Sequence, residues 1–256
     1  MAKPKIGIMY LTSCSGCQCE ILNYESALLK LLDIAEIKYF PIGSSANTLD
    51  EELDVLFVEG SVSTELDEKM VKKGREAAKL LVAIGTCASF GGVQANNNDV
   101  PVEELLETTY GTIDMPFKIT KARPLEEVVK VDYKLSGCPV EGKQFVQASA
   151  FLLNGIQPFF PKMAVCYECK LSETECRTLQ GLWCLGPITN AGCGAPCTSK
   201  GLGCQGCRGD HDDPNYMEMV EVLTERALKD KDLINFMKAF RGNYLKEKLK
   251  DAGVEL

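Results

Sequence analysis

Short apolar runs alternate with longer amphipathic segments over about the first 155 residues of the chain. The apolar runs are rich in Val, Ile and Leu, as expected of strands buried on both faces of a sheet. We predict strands at Lys5–Tyr10, Glu36–Phe40, Asp54–Val58, Leu80–Ile84 and Val129–Leu135. The amphipathic segments predict helices at Gln18–Leu32, Glu65–Leu80 and Gly142–Asn154. This alternation is typical of an α/β fold with a doubly wound parallel sheet.

The segment from about residue 160 to 214 has a different character, with eight cysteines, many glycines and little periodicity. It cannot bury enough apolar surface by itself, so bound metal would have to supply the missing folding energy. Three amphipathic helices are predicted after it, at Met217–Leu228, Leu233–Phe240 and Tyr244–Ala252. We therefore predict two domains, residues 1–157 and 158–256, with a long irregular loop at about 90–128 in the first.

Composition narrows the class of protein. The net charge of −8 argues against a nucleic-acid partner, which would favour a basic face. No apolar run reaches the roughly 18 residues that a transmembrane helix needs. The first residues lead directly into the apolar run 6–11 without a twin-arginine pair or signal-peptide layout, which predicts a cytoplasmic protein.

The chain has thirteen cysteines and one histidine. In a reducing compartment, clustered cysteines indicate metal binding or redox chemistry. Twelve of them fall into three sets of four along the sequence. The thirteenth, Cys19, lies one turn into a predicted helix, where packing is a better explanation than ligation.

Four cysteines follow the ends of predicted strands, and we call them the first set: Cys14, Cys17, Cys87 and Cys138. Parallel strands end at one edge of a sheet, so these thiols are expected to converge there. Such a set suits an iron–sulfur cluster or zinc. The alternatives are buried core cysteines or a flavodoxin-like phosphate loop at residues 12–16, but the loop leaves Cys87 and Cys138 unexplained.

Glu59 ends the third predicted strand at the same edge. It could carry protons or accept a hydrogen bond beside the metal site. An ordinary carboxylate in the turn before a helix explains it equally well.

Eight further cysteines form two compact sets near the C-terminus. The second set is Cys166, Cys169, Cys176 and Cys184, and the third set is Cys193, Cys197, Cys204 and Cys207. Intervening glycines allow the backbone to fold closely around a cluster. Two zinc ribbons are the main alternative, and ligands could also interleave between neighbouring clusters.

Four stretches together resemble the small subunit of nickel–iron hydrogenases: Cys14-Ser15-Gly16-Cys17, Gly85-Thr86-Cys87, Gly137-Cys138-Pro139, and the run from Cys184 through Cys193 to Cys207. The resemblance implies a flavodoxin-like domain that holds a proximal cluster beside the Ni–Fe site of a separate large subunit. A smaller irregular and helical iron–sulfur domain then carries the medial and distal clusters. On this resemblance the first set binds the proximal cluster, the third set the medial and the second set the distal.

Two departures from the membrane-bound, periplasmic-facing members are informative. Those members often have a proline where Cys197 stands and a histidine where Cys166 stands, so this chain implies three [4Fe–4S] clusters. The same features resemble the cytoplasmic group, which includes methyl-viologen-reducing hydrogenases linked to heterodisulfide reductase, deazaflavin-coenzyme-reducing hydrogenases and sulfhydrogenases. The implied acceptor is an iron–sulfur or flavin subunit, such as a heterodisulfide reductase, deazaflavin-coenzyme or NAD(P) module.

We therefore expect an electron-transfer subunit of a hydrogenase that has no hydrogen-activating site and no catalytic residue of its own. A complex-I-like subunit, a flavodoxin-like flavoprotein and a zinc-stapled binding module are the rivals. The loops of the first set are rich in Gly, Ser and Thr and poor in charge. This composition predicts that the edge, including Ser15 and Ser89, is buried against the large subunit.

Overall fold

The computed structural model describes residues 3–45, 47–111, 116–225 and 230–253. The chain divides into two compact units, Met1–Phe159 and Phe160–Leu256. The elements of the first unit in chain order are β1 (Lys5–Tyr10), α1 (Gly16–Asn23), α2 (Glu25–Ile34), β2 (Glu36–Tyr39), β3 (Leu53–Glu59), β4 (Val62–Thr64), α3 (Glu65–Ala77), β5 (Ala78–Ile84), α4 (Gly85–Phe90), α5 (Val102–Tyr110), β6 (Ile119–Arg123), β7 (Tyr133–Leu135) and α6 (Gly142–Leu153).

Five strands form a parallel sheet in the order β2-β1-β3-β5-β7. Counted along the chain, this is the flavodoxin-like order, so the predicted α/β doubly wound sheet is confirmed. Phe57 on the central strand pairs with Ile8 on one side and Val82 on the other, and all three are fully buried. Burying each such side chain contributes about 1.5–3 kcal/mol, which explains why the central strands read as continuous apolar runs.

Two predicted helices were too long. The helix predicted at 18–32 is two helices, because Tyr24 between α1 and α2 leaves the helical region with φ −86° and ψ 45°. The helix predicted at 65–80 ends at Ala77, because the chain enters β5 directly and pairs with β3 from Ala78 onward. Tertiary pairing therefore overrode a helical pattern that continued into the strand.

The connection between β5 and β7 holds more structure than the irregular loop that the sequence predicted. It contains α5 and β6, and β6 pairs antiparallel with β4 in a two-stranded ribbon. The strand predicted at 129–135 is only Tyr133–Leu135, because Val129 and Val131 pack against the core from the preceding loop. Strands as short as β4 and β7 carry too few alternating positions for a period to be recognised.

The second unit has little regular structure before its C-terminal helices. Its elements are α7 (Val165–Leu171), α8 (Pro196–Ser199), α9 (Tyr216–Thr224), α10 (Asp230–Lys238) and α11 (Gly242–Asp251). The three helices predicted after residue 214 are present with shifted ends, and residues 226–228 of the first prediction lie outside the described residues. The tail helices bury their apolar faces against Leu185 and Ile188 of the cysteine-rich segment. In the described ranges, no helix has the length and apolar character needed to cross a membrane.

Candidate metal centres

The carboxyl edge of the parallel sheet carries the first set of cysteines. Cys14 and Cys17 follow β1, Cys87 lies in α4 after β5, and Cys138 follows β7. Burial raises the pKa of the Cys17 thiol, and repulsion from Glu59, Cys87 and Cys138 raises it further. The loops that carry these thiols are in contact, since the Val140 amide donates to the Cys17 sulfur at 3.4 Å and the Thr86 amide, next to Cys87, donates to the Gly137 carbonyl at 2.9 Å.

Two glycines keep the space beside these thiols open. Gly85 has φ +79°, and a Cβ added there would overlap the Cys17 sulfur. Gly92 has φ +65°, and its added Cβ would lie 2.6 Å from the Cys87 sulfur. An L-residue is strained at both backbone conformations, so glycine satisfies a steric and a conformational need together.

Glu59 is buried at the end of β3 and holds the start of α1. Its carboxylate accepts hydrogen bonds of 3.0 Å from the Cys17 amide and from the Gln18 side chain. The short helix α1 has no side-chain cap, so this carboxylate satisfies an amide that the helix itself leaves without a partner. The structure thus gives Glu59 a hydrogen-bonding position beside the first set.

Gln94 is a contact of the first set that the sequence did not reveal. Its side-chain oxygen lies 3.0 Å from the Cys87 sulfur, and its side-chain nitrogen donates to the Thr12 carbonyl at 3.3 Å. Gln94 therefore links the loop after β5 to the loop after β1. No sequence motif indicates this contact, because the only feature that marks Gln94 is its position seven residues after Cys87.

Of the two serines predicted at the contact surface, Ser15 is accessible to a partner and Ser89 is not, so the prediction is wrong for Ser89 and stays a prediction for Ser15. Ser15 is partly exposed between two cysteines of the first set. Ser89 is fully buried in α4, where its hydroxyl donates to the Gly85 carbonyl at 2.9 Å. The exposed groups at this edge also include Cys14, Val93 and Cys138.

The second set converges around α7. Cys166 and Cys169 lie three residues apart on one helix face. Burial raises the pKa of the Cys166 thiol to about 11, with repulsion from Cys184, Cys169 and Cys176. Gly186 fits closely here, because an added Cβ would lie 3.3 Å from the sulfur atoms of both Cys166 and Cys184.

The third set converges on Cys207. Burial raises the pKa of Cys193, Cys197 and Cys204, and repulsion from Cys207 acts on each of them. For Cys204 the raised pKa is about 12, because burial and repulsion from Cys184 and Cys207 outweigh a hydrogen bond from the Gly206 amide. Cys184 of the second set also acts on Cys197 and Cys204, so the eight C-terminal cysteines lie in one neighbourhood and their division into two sets stays a prediction.

The second and third sets adjoin each other. The Cys204 amide donates to the Cys184 sulfur at 3.2 Å, so one residue of each set is in direct contact. Glu168 on α7 also contacts the loop of the third set. Its carboxylate accepts a hydrogen bond from the Gly192 amide at 2.9 Å and lies 3.8 Å from the Cys193 sulfur. Groups bound in the two sets would be neighbours.

The three sets fit iron–sulfur clusters by the chemistry of their donors. Each offers four thiols and also backbone or hydroxyl hydrogen bonds to sulfur, such as the 3.4 Å bond from the Val140 amide to Cys17. In the described part of the chain, no three Cys, His, Asp or Glu side chains are arranged to hold one metal ion. In a four-iron cluster each thiolate binds a different iron, so its ligands do not share a single ion.

A parallel sheet with four thiols at its carboxyl edge, followed by two more sets of four, defines an iron–sulfur electron-transfer protein. The family model of the NADH ubiquinone oxidoreductase 20 kDa subunit matches residues 14–152 of this chain. The chain belongs to that family, which the small subunits of [NiFe] hydrogenases share.

Relatives over nearly the whole chain are hydrogenase subunits. The chain is 38% identical over 237 residues to sulfhydrogenase 2 subunit delta of Pyrococcus furiosus, covering 92% of this chain and 98% of that protein. It is 33% identical over 270 residues to a vhu subunit of the F420-non-reducing hydrogenase of Methanocaldococcus jannaschii, covering 92% and 94%. A solved NAD+-reducing [NiFe]-hydrogenase chain matches with a TM-score of 0.58 and 28% identity, covering 62% of this chain and 96% of that chain.

These relatives confirm the hydrogenase interpretation of the sequence motifs. The chain is an electron-transfer small subunit of the [NiFe] hydrogenase type, within an oxidoreductase complex that oxidises or evolves dihydrogen. The similarity to the first two relatives extends over most of the cysteine-rich second unit, which the family match to residues 14–152 does not reach. The hydrogenase interpretation is therefore favoured over the complex-I-like one.

Proposed function

We propose that the chain relays electrons between the Ni–Fe site of a separate large subunit and an acceptor subunit through three [4Fe–4S] clusters. The observation that supports the proposal is the gathering of cysteine sulfur atoms at two places, at the carboxyl edge of the sheet, where the Val140 amide donates to the Cys17 sulfur, and in the second unit, where the Cys204 amide donates to the Cys184 sulfur. When bound, each cluster accepts and releases one electron at a time. The first unit would hold the proximal cluster, and the second unit the medial and distal clusters.

The ligands follow from the three sets. Cys14, Cys17, Cys87 and Cys138 would bind the proximal cluster; Cys193, Cys197, Cys204 and Cys207 the medial; and Cys166, Cys169, Cys176 and Cys184 the distal. The contact between Cys184 and Cys204 supports a short path between the last two clusters. No catalytic residue is proposed in this chain, and Glu59 is proposed to position the loop that carries Cys17.

The carboxyl edge of the parallel sheet is the proposed docking face for the large subunit. A proximal cluster functions only if it lies close to the partner's metal site, and the exposed groups of the first set are at this edge. The exposed neighbours Ser15 and Val93 carry no charge, which suits the centre of an interface.

The acceptor is proposed to be an iron–sulfur or flavin subunit of the heterodisulfide reductase, deazaflavin-coenzyme or NAD(P) type. Two more distant relatives, the delta subunit of an NAD-reducing hydrogenase and the gamma subunit of a coenzyme F420 hydrogenase, carry names that support acceptors of the last two types. A cytoplasmic location is proposed because free thiols gathered in sets of four suit a reducing compartment.

Dihydrogen should reduce the clusters when the chain is purified anaerobically in its native complex. Electron paramagnetic resonance under dihydrogen, compared with argon, measures this. We expect reduced-cluster signals under dihydrogen of an intensity similar to that obtained with dithionite. Signals that appear with dithionite and never with dihydrogen would show that the chain has another function.

Cys197→Ala should convert one four-iron cluster into a three-iron cluster. Cys197 lies in the first turn of α8, and alanine preserves that helix while removing the thiolate that holds the fourth iron. The reduction potential of this cluster should rise, because cluster type and net charge set it. Cys19→Ala is the matched control, since this exposed thiol belongs to no set. An unchanged resonance spectrum in oxidised Cys197→Ala protein would remove Cys197 from the ligands.

A further inference from the structure

A fully buried arginine contacts the loop that carries the last two cysteines of the third set, and the proposed function gives it no role. Arg241 joins α10 to α11, and its side chain has no exposed surface. Removing a guanidinium from water costs several kcal/mol unless its donors are satisfied. An apolar residue of similar volume would avoid that cost, so the contacts of Arg241 are informative.

The guanidinium of Arg241 is bound on three sides. Its Nε donates to the Gly206 carbonyl at 2.8 Å, one residue before the proposed ligand Cys207. Its Nη2 donates to the Thr189 hydroxyl at 2.9 Å, and its Nη1 pairs with Asp210. Tyr216 donates a hydrogen bond to the same Asp210 carboxylate. These contacts fix the loop that carries the last two cysteines of the set.

One hydrogen-bonded route leads from Arg241 to the Cys204 sulfur, and a second contact fixes the turn beside it. Thr189 accepts a hydrogen bond from Arg241 and donates its hydroxyl proton to the Leu185 carbonyl at 2.6 Å, so the guanidinium holds the turn that follows Cys184. The Gly206 carbonyl accepts a hydrogen bond from Arg241, and the Gly206 amide donates one to the Cys204 sulfur. Gly206 has φ +77°, and an added Cβ would lie 2.9 Å from Arg241 Nη2, so the two residues fit only without a side chain at 206.

We infer that Arg241 is a positioning residue that, together with Asp210, sets the reduction potential of the cluster held by the third set. The inference rests on the proposed function, since it requires a cluster at that site. Hydrogen bonds to the sulfur atoms and nearby charge are the protein's means of tuning such a potential. The positive guanidinium and the amide donor that it holds stabilise the reduced cluster, whereas Asp210 opposes this with a negative charge.

The directions in which two substitutions shift the reduction potential distinguish tuning of the potential from a purely structural role. Arg241→Met removes the cation and leaves Asp210, so the potential of the third-set cluster should fall. Asp210→Asn keeps the cation and removes the anion, so the same potential should rise. A residue that only stabilised the fold would give no opposite shifts. Glu168, Arg208 and Lys200 also act on this set and are the same in both variants.

Redox titration of the anaerobically purified complex, followed by electron paramagnetic resonance, measures these potentials. The signal that changes in Cys197→Ala identifies the third-set cluster. We expect opposite shifts of that signal in the two variants and unchanged signals from the other clusters. Lys250→Met, which removes an exposed cation from the same tail, should change none of them.

Shifts in the same direction, no shift, or an equal shift of every cluster would overturn the inference. If Arg241→Met does not assemble, Asp210→Asn decides, because it keeps the buried arginine and removes only the anion paired with it. Its third-set potential should rise, and an unchanged potential would refute the tuning role. Failure of the proposed function is distinguishable, since the unaltered protein would then contain no third-set signal to titrate.

Discussion

Val93→Lys is expected to abolish co-purification of the chain with its large subunit while leaving its cluster content unchanged. Val93 is 51% exposed and follows Gly92, which lies against the Cys87 sulfur. A lysine here projects a charge into the proposed interface centre, where desolvation without a partner costs several kcal/mol. Affinity should therefore fall by more than about a hundredfold, since each 1.4 kcal/mol is a factor of ten. Tagged-chain pull-down with quantification of the large subunit measures this loss.

Two further variants make the docking experiment specific. Ser15→Asp places a charge on the same edge and should have the same effect. Ile34→Lys is the control, because Ile34 is 47% exposed at the end of α2, directly before β2 begins at the opposite edge of the sheet. Normal yield of the large subunit with Val93→Lys and Ser15→Asp would show that the docking face lies elsewhere.

Gly85→Ala should eliminate the first-set cluster and leave the other two. The added methyl group would overlap the sulfur of Cys17, which is itself buried. Iron content should fall from about twelve to about eight atoms per chain, because one of three four-iron clusters is lost. Iron analysis combined with the resonance spectrum of the reduced protein measures both the number and the identity of the remaining clusters.

Gly155→Ala is the control that distinguishes the steric overlap with the Cys17 sulfur from backbone strain. Gly155 lies in the same unit with φ +68°, but an added Cβ there would meet no atom within 4 Å. Both substitutions impose a left-handed conformation that costs roughly 1–2 kcal/mol, and only Gly85→Ala adds the contact with sulfur. Equal iron loss in the two variants would mean that Gly85 matters for folding alone.

The sequence was sufficient to predict the parallel sheet and the placement of the first set. Buried apolar runs identify β1, β3 and β5 directly, and the rule that parallel strands end at one edge then places Cys14, Cys87 and Cys138 together. The grouping of the C-terminal cysteines rests on their spacing and stays a prediction, because Cys184 and Cys204 of different sets are in contact.

Contacts between distant residues were not predictable in the same way. Gln94 reaches Cys87 because the chain turns at Gly91 and Gly92, and no periodic pattern encodes that turn. Arg241 lies between two predicted helices, and no pattern in the sequence indicates that its side chain is buried against Gly206. Ser89 was misplaced because a small hydroxyl residue suits both a surface loop and a buried helix whose hydroxyl bonds to the backbone.

Iron and acid-labile sulfide analysis of the anaerobically purified chain tests the central claim most directly. Three sets of four thiolates, each holding a [4Fe–4S] cluster, predict about twelve irons and about twelve sulfides per chain. The protein should be brown and contain no stoichiometric zinc. A content near eight or four irons would remove one or two of the proposed sites, and a colourless protein with bound zinc would contradict the account altogether.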